Sequence, residues 1–394
     1  MKKIKILSFL IMSSILYSCV DPYALQTDTF EDAIVIEATI TNELKFQEIK
    51  ISRTYRFEDV IPTFETGATV YITDELNNEF NFHEDGNKYI SDNEFKALPN
   101  KTYQLHIITA NGREYISTTQ TLTTESNIES LNTSVITNQQ GEKGVQINVN
   151  SYDPSNTSKY YRYEYEETYK VIAPKWVSND IVYNATSDSF ILTERDLNKK
   201  TCYSFEKSNQ IIQTNTNNLL EDRVTNFPVR FISNQNYIIA NRYTILVKQY
   251  VQNLSAYNYY KTLSEMSSEG SILSPNQPGF LFGNLKSLTN PNEKVIGFFE
   301  VASVSSSRIF FNYVDLFPTD PTPSFFNECN SIEFDISLVG DNPGSSPKAR
   351  LINGLSLNTI VFYELTYPTY FMVPTFCGDC TSFSSNIIPS YWTD

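Results

Sequence analysis

Cysteine and histidine carry the most reactive side chains of this 394-residue chain, which contains five Cys and two His. Cys377 and Cys380 are spaced as C-x-x-C, a pattern found in redox sites and in zinc sites. A redox pair needs the amino end of a helix, and the surrounding TFCGDCTSFSSN has no helical periodicity. A zinc site needs two further soft ligands, whereas His83 and His106 lie far upstream. We therefore favour structural disulfides over metal binding or redox chemistry.

Four cysteines are candidates for these bonds, namely Cys202, Cys329, Cys377 and Cys380. An even number of cysteines in an exported chain is typical of disulfide bonding. Four cysteines permit three pairings, and the sequence does not choose among them.

The fifth cysteine, Cys19, follows a segment typical of bacterial export signals. Three Lys near the start precede the apolar run 6–16, which is too short to span a membrane as a helix. Residues 16–19, LYSC, overlap the end of this run and resemble a lipobox, with a small residue directly before the cysteine. We therefore predict a lipoprotein signal peptide over residues 1–18 and lipidation of Cys19 at the mature amino terminus. An ordinary secretory signal with a chance cysteine is the alternative.

The charge of the chain limits its partners. The formal net charge is −15, and loss of residues 1–18, with three Lys and no acid, changes it to −18. Nucleic-acid binding needs a basic surface that neutralises phosphates, so we predict no nucleic-acid partner. Several acyl chains, at about 0.8 kcal/mol per buried CH₂, would hold this acidic protein at a membrane.

No familiar catalytic pattern is present in the sequence. G-x-S-x-G, H-E-x-x-H and the phosphate-binding loop are all missing. The adjacent acids Glu166-Glu167 and Glu221-Asp222 would point to opposite faces of a strand and could not share one glycosidic bond. We predict no catalytic residue, no metal site and no cofactor.

The composition predicts a mainly β protein. Tyr and Phe each occur 26 times, and β-branched residues are common. After a tether over residues 19–32, about seven short strands over residues 33–124 suggest an immunoglobulin-like sandwich. Its clearest hairpin turns are Asp85-Gly86 and Asn111-Gly112.

We place a larger β-rich domain at residues 125–394. In YYRYEYEETY, the residues Tyr161, Tyr163 and Tyr165 share one strand face, for which we favour core packing over a ligand platform. One short helix is predicted, with Ser255 as its amino-terminal cap and Gly270 closing it. The Pro-rich tail from Leu316 is predicted to be irregular and stapled by disulfides.

Several segments, taken in order, resemble the Bacteroidota lipoproteins grouped as domain of unknown function 4249. They are SCVDPY, GATVYITDE, YYRYEYEETY, LEDRVTNFPVRFIS, RYTILVKQY, KVIGFFEVASV and the closing CGDCT, and together they span the mature chain. None of them is a catalytic motif. The resemblance implies an accessory lipoprotein of the outer membrane, since such proteins are typically encoded near TonB-dependent receptors.

The sequence therefore favours a non-catalytic binding partner of a TonB-dependent transporter, lipid-anchored at the outer membrane and exposed at the cell surface. Its ligand is not indicated. An envelope structural or assembly factor is the first alternative, and a carbohydrate-active enzyme built from carboxylates is the second.

The lipid anchor can be tested by replacing Cys19 with Ser, which removes the sulfur that carries the acyl chains. We expect Cys19→Ser protein to leave the membrane fraction, and mass spectrometry of the native amino terminus to find a lipidated cysteine. An unmodified native terminus, or unchanged fractionation of the variant, would contradict the prediction.

Overall fold

The computed structural model describes residues 33–54, 63–268, 281–340 and 344–394. The predicted signal peptide, Cys19 and the tether lie outside these residues. The described chain is mainly β with few helices, which confirms the predicted fold class.

The amino-terminal strands alternate buried and exposed residues around one core. In the strand Thr102–Ile108, the side chains of Tyr103, Leu105 and Ile107 are buried, as predicted from their phase. The strands are β1 (Ile34–Thr41), β2 (Glu48–Arg53), β3 (Thr69–Asp74), β4 (Glu79–Asp85), β5 (Lys88–Ser91), β6 (Thr102–Ile108), β7 (Glu114–Ser117) and β8 (Gln120–Thr121).

Both predicted hairpin turns form. Gly86 lies between β4 and β5 with a φ of 63°, and Gly112 lies between β6 and β7 with a φ of 80°. Positive φ favours glycine because it has no Cβ, and this explains why the two turns could be read from the sequence.

Among the described residues up to 312, eleven further strands follow, and six of them join the same large sheet. That sheet runs β14-β11-β17-β19-β1-β2-β5-β4-β3-β6-β7-β18, while β16, β10 and β9 form a separate three-stranded sheet. The strands are β9 (Ile128–Thr137), β10 (Lys143–Asp153), β11 (Tyr160–Ile172), β12 (Asn179–Asn184), β13 (Ser189–Glu194), β14 (Thr201–Lys207), β15 (Ile212–Asn215), β16 (Asp222–Ser233), β17 (Arg242–Gln252), β18 (Leu285–Ser287) and β19 (Val295–Asn312).

Strand β19 joins the two parts of the large sheet. Its first half pairs in parallel with β1, from Val295 opposite Ile34 to Ala302 opposite Thr41, and its second half pairs with β17. The first half is buried almost throughout, as expected for a strand covered on both faces. The amino-terminal core therefore includes Phe299 and Val301, which lie far beyond the domain boundary proposed near residue 124.

The predicted helix is present as α1 (Leu254–Ser268), but its cap differs from the prediction. The side chain of Asn253, and not that of Ser255, accepts a hydrogen bond at 2.8 Å from the N–H of Ala256. Gly270 lies outside the described residues. The helix packs Ala256 and Tyr259 against Phe298 of β19.

The prediction of an irregular tail was wrong. Residues after 316 include a three-stranded sheet of β20 (Ile332–Asp335), β21 (Ile360–Thr366) and β22 (Thr369–Pro374). Three helices also follow β19, namely α2 (Tyr313–Leu316), α3 (Pro347–Ser356) and α4 (Thr375–Gly378). The start of α3 has a recognisable sequence signature, because Ser346 caps the helix and Pro347 occupies its first turn.

Two disulfides attach this carboxy-terminal region, and they confirm the predicted use of the four cysteines. Cys202 of β14 bonds Cys380, and Cys329 bonds Cys377. The two members of the C-x-x-C pair are thus bonded to distant partners and not to each other. Each such bond is worth about 2–4 kcal/mol through restriction of the unfolded chain.

The parallel contact between β1 and β19 leaves no room for a side chain at Gly297. Gly297 has a φ of 143°, and a Cβ there would lie 2.2 Å from the carbonyl oxygen of Ile36. We expect Gly297→Ala to lower the free energy of unfolding by about 2 kcal/mol or more, measured by urea denaturation.

Gly86→Ala is the matched control, because Gly86 also has a positive φ but its Cβ would have nothing within 4 Å. The control should lower the free energy of unfolding by about 1 kcal/mol, which is the cost of the positive-φ backbone conformation alone. Equal losses in the two variants would show that β1 and β19 do not approach as closely as described.

Candidate functional site

A cavity of about 470 Å³ lies where β1, β2, β11, β17 and α1 meet. The loop of residues 208–211 completes its wall. Concave sites that collect charged groups with perturbed pKa values are the usual places for ligand binding. We therefore take this cavity as the candidate site.

Arg162 of β11 forms the most buried charged part of the wall, with its residue 7% exposed. Its guanidinium carbon lies 4.5 Å from the ring centre of Tyr250 in β17 and 4.8 Å from that of Tyr260 in α1. Arginine stacks well on aromatic faces because its charge is delocalised over a plane. The two tyrosines thus fix the guanidinium between β17 and α1.

Two carboxylates neutralise Arg162. Glu300 of β19, itself 1% exposed, accepts a hydrogen bond at 3.1 Å from Nη2 of Arg162. Glu164, two residues along β11, contacts Nη1. Gln252 donates to the other oxygen of Glu300 at 3.0 Å. A buried ion pair is tolerated best when its remaining hydrogen-bonding positions are filled. Glu300 meets this condition, whereas the Nε of Arg162 is buried without a hydrogen-bond partner among the described residues.

These contacts shift the pKa values of Arg162, Glu164 and Tyr250. Burial tends to lower the pKa of Arg162, but the charges of Glu300 and Glu164 raise it above its usual value. Burial tends to raise the pKa of the Glu164 carboxyl, but the charge of Arg162 and the hydrogen bond from Tyr250 lower it. Burial also raises the pKa of Tyr250. Near neutral pH the site thus presents a cation, an anion and a neutral phenol.

The entrance carries further charges of both signs. Glu37 and Lys50 face each other across β1 and β2 and line the cavity, as do Lys45 and Glu48. Glu37, Glu48 and Lys50 are exposed. A general acid would need a carboxyl with a raised pKa, whereas that of Glu164 is lowered. The arrangement is suited to recognising a polar or charged ligand through hydrogen bonds and ion pairs.

The tyrosines predicted to share one face of β11 lie on the face opposite Arg162. Tyr161 and Tyr163 are fully buried, and they donate hydrogen bonds to Asp222 and to Gln249. Core packing, the interpretation favoured from the sequence, is therefore correct for both.

Adjacent acids do separate to opposite faces, as predicted. Glu166 pairs with Lys248 at 3.1 Å, while Glu167 is buried and pairs with Arg230 at 3.0 Å. In the second pair, Asp222 is buried and accepts a hydrogen bond from Tyr161, while Glu221 is exposed, precedes β16 and pairs with Arg223 at 3.3 Å. Neither pair of neighbouring acids forms a shared carboxylate site.

Sequence reasoning missed the role of Arg162 and Glu300. Strand alternation places Arg162 on the face opposite Tyr161 and Tyr163, together with Glu164 and Glu166, and such a charged face is normally solvated. One feature of the sequence could have predicted this ion pair, because Glu300 is the only charged residue within the apolar run VIGFFEVASV. A single carboxylate in a strand buried on both faces requires a buried partner.

A family model described as Domain of unknown function (DUF4249) matches residues 20–308. The chain belongs to this family. All residues that form the DUF4249 cavity lie inside the matched range, whereas β20, β21 and β22 lie beyond its end. A search of curated proteins gives no match to this chain.

Two further properties apply only to the described part of this DUF4249 chain. Within residues 33–54, 63–268, 281–340 and 344–394, no helix is long and apolar enough to cross a membrane. In the same residues, no group of three or more His, Cys, Asp or Glu side chains could hold a metal ion.

The buried ion pair can be tested with Glu300→Gln, which leaves Arg162 short of a compensating charge. We expect the free energy of unfolding to fall by about 3 kcal/mol or more. Urea denaturation measures the loss, and the double variant Arg162→Met with Glu300→Leu should recover much of it.

Glu129→Gln is the control, because Glu129 pairs with Arg223 at 3.2 Å with both side chains over 40% exposed. This surface pair should contribute less than about 1 kcal/mol. If the two single variants lost equal stability, the Arg162–Glu300 contact would not be a buried ion pair.

Proposed function

We propose that this protein is an outer-membrane lipoprotein that binds a ligand without transforming it and serves as an accessory partner of a TonB-dependent transporter. In this proposal the lipid on Cys19 holds the protein at the cell surface. The cavity over Arg162 contacts the transported ligand.

The sequence before the folded residues supports the location. A positive segment, a short apolar run and a lipobox end at Cys19, and residues 19–32 then separate the lipid from β1. An extended chain of that length reaches about 45 Å, which leaves the folded residues free to meet a neighbouring membrane protein. Confinement to the membrane raises the effective concentration of such a partner.

The observation that carries the binding role is the cavity itself. Arg162 is held between two tyrosine rings and two carboxylates, so its position is set before any ligand arrives. Preorganisation of this kind lowers the entropic cost of binding. The lowered pKa of Glu164 favours a hydrogen-bond acceptor over a proton donor for catalysis.

The partnership can be tested by purifying the native lipoprotein from membranes in mild detergent. An affinity tag belongs in the exposed β9–β10 turn, residues 139–141, because the carboxy terminus packs against the body through Trp392 and Asp394. We expect a TonB-dependent receptor to co-purify, and to be lost from the Cys19→Ser variant. Failure to recover a receptor in several mild detergents would contradict the proposal.

A deletion strain separates ligand uptake from a general envelope role. Loss of growth on one nutrient supports transport, while a general envelope defect supports an assembly factor instead. Lys50→Glu, which reverses a charge at the cavity entrance, should restore growth poorly. Lys96→Glu reverses an exposed charge that does not line the cavity, so it should restore growth fully. Equal restoration by the two variants would exclude the cavity from the ligand contact.

A further inference from the structure

The large sheet ends at β14, which pairs with β11 on one side only. Two backbone hydrogen bonds at the ends of the β11–β14 pair show which residues of β14 direct their N–H and C=O groups toward β11. The N–H of Ala173 donates to the carbonyl of Lys200, and the N–H of Ser208 donates to the carbonyl of Tyr165, both at 2.9 Å. Even-numbered residues of β14 therefore direct their backbone groups toward β11, and odd-numbered residues direct theirs outward.

The outward edge already accepts one extended segment. Tyr203 donates its backbone N–H to the carbonyl of Ser385 at 2.7 Å, in an antiparallel bridge. Further along the strand, nothing in the described ranges pairs with the outward backbone groups of Phe205 or Lys207. Phe205 is 49% exposed. With respect to the described residues, part of the sheet edge is thus open.

A groove of about 700 Å³ runs beside this open edge. Tyr169, Tyr237 and Phe383 supply aromatic rings to its wall, and Glu206 and Ser384 supply polar groups. Tyr169 lies opposite Ser204 in the β11–β14 register and donates a hydrogen bond at 3.0 Å to Glu206. The groove therefore lies on the same face of β14 as its even-numbered side chains.

We propose that the open edge of β14 binds an extended peptide segment of a partner protein by strand addition. The backbone of the peptide pairs with Phe205 and Lys207, antiparallel to β14, in the manner of Ser385 at Tyr203. Because side chains alternate, those on either side of the residue opposite Phe205 enter the groove. The aromatic wall selects apolar side chains at these two positions.

The chemistry of the edge identifies this class of ligand. Donors and acceptors in a row, spaced along a strand, are matched by another backbone, and adjoining pockets read alternate side chains. Exposed edges are usually protected by charges, proline or a bulge. Of the two open positions here, Lys207 carries such a charge and pairs with Glu166 at 3.6 Å, whereas Phe205 is a half-exposed apolar residue. This surface is separate from the cavity over Arg162, and the inference does not depend on the proposed transport role.

A phage-displayed library of random 12-residue peptides, panned on the purified soluble chain from residue 20, tests the proposal. We expect enriched peptides to share apolar residues at every second position. Synthetic copies should slow hydrogen exchange at the amides of Phe205 and Lys207 at least tenfold, as measured by mass spectrometry with residue-level fragmentation.

Two variants at one position separate backbone pairing from side-chain contact. Phe205→Pro removes the outward N–H without breaking a hydrogen bond to β11, and edge strands tolerate proline at such positions. This variant should weaken peptide binding about tenfold or more. Phe205→Ala keeps the N–H and should weaken binding less. Thermal unfolding checks that both variants are folded.

Three outcomes would overturn the proposal. They are an absence of enriched peptides, equal binding of the enriched peptides to Phe205→Pro and to the native chain, and unchanged exchange at Phe205 and Lys207 in the complex. The exchange measurement uses the native chain, so it decides the matter even if the proline variant is unstable.

Discussion

The ion pair between Arg162 and Glu300 is the contact on which the centre of the molecule depends. Glu300 lies in the half of β19 that pairs with β1, and Arg162 lies in β11, so the pair joins strands from the two parts of the large sheet. Both side chains are almost fully buried, and without Arg162 the charge of Glu300 would be uncompensated, while without Glu300 only Glu164 would remain to balance Arg162. The same contact that positions β11 relative to β1 also sets the charge at the base of the cavity. The stability of the sheet and the charge of the cavity therefore depend on one pair of residues.

The large sheet is buried in its middle and only partly covered at its β14 edge. In the middle, β19 is buried among other strands, and Gly297 permits its close approach to β1. At β14, the Cys202–Cys380 disulfide brings the carboxy-terminal region onto the edge, where Ser385 pairs with Tyr203. That region covers only part of the edge, so Phe205 and Lys207 keep outward backbone groups. The same strand thus holds the tail and leaves a surface for another chain.

Local features were predictable wherever one physical rule acts alone. The alternation in β6, the glycine turns after β4 and β6, and the buried tyrosines of β11 follow from side-chain periodicity and positive φ. The cap of α1 was misplaced by two residues because Asn253 and Ser255 are both good caps and only the bonded partner decides. The tail was misjudged because its many prolines hid short strands whose apolar residues pack against Ile181 and Leu351.

The sequence by itself determined the mainly β class, the number of cysteines free to form disulfides, the acidic charge and the membership of a family. These properties are sums over residues or short-range patterns, which need no knowledge of distant neighbours. Only the tertiary structure decided that Cys202 bonds Cys380, that Arg162 meets Glu300, and that Phe205 lies on an open edge. Each of these joins residues far apart in the chain, or depends on which strands lie beside one another. Such pairings are set by the packing of the whole chain, because every strand in a sheet could in principle pair with several others.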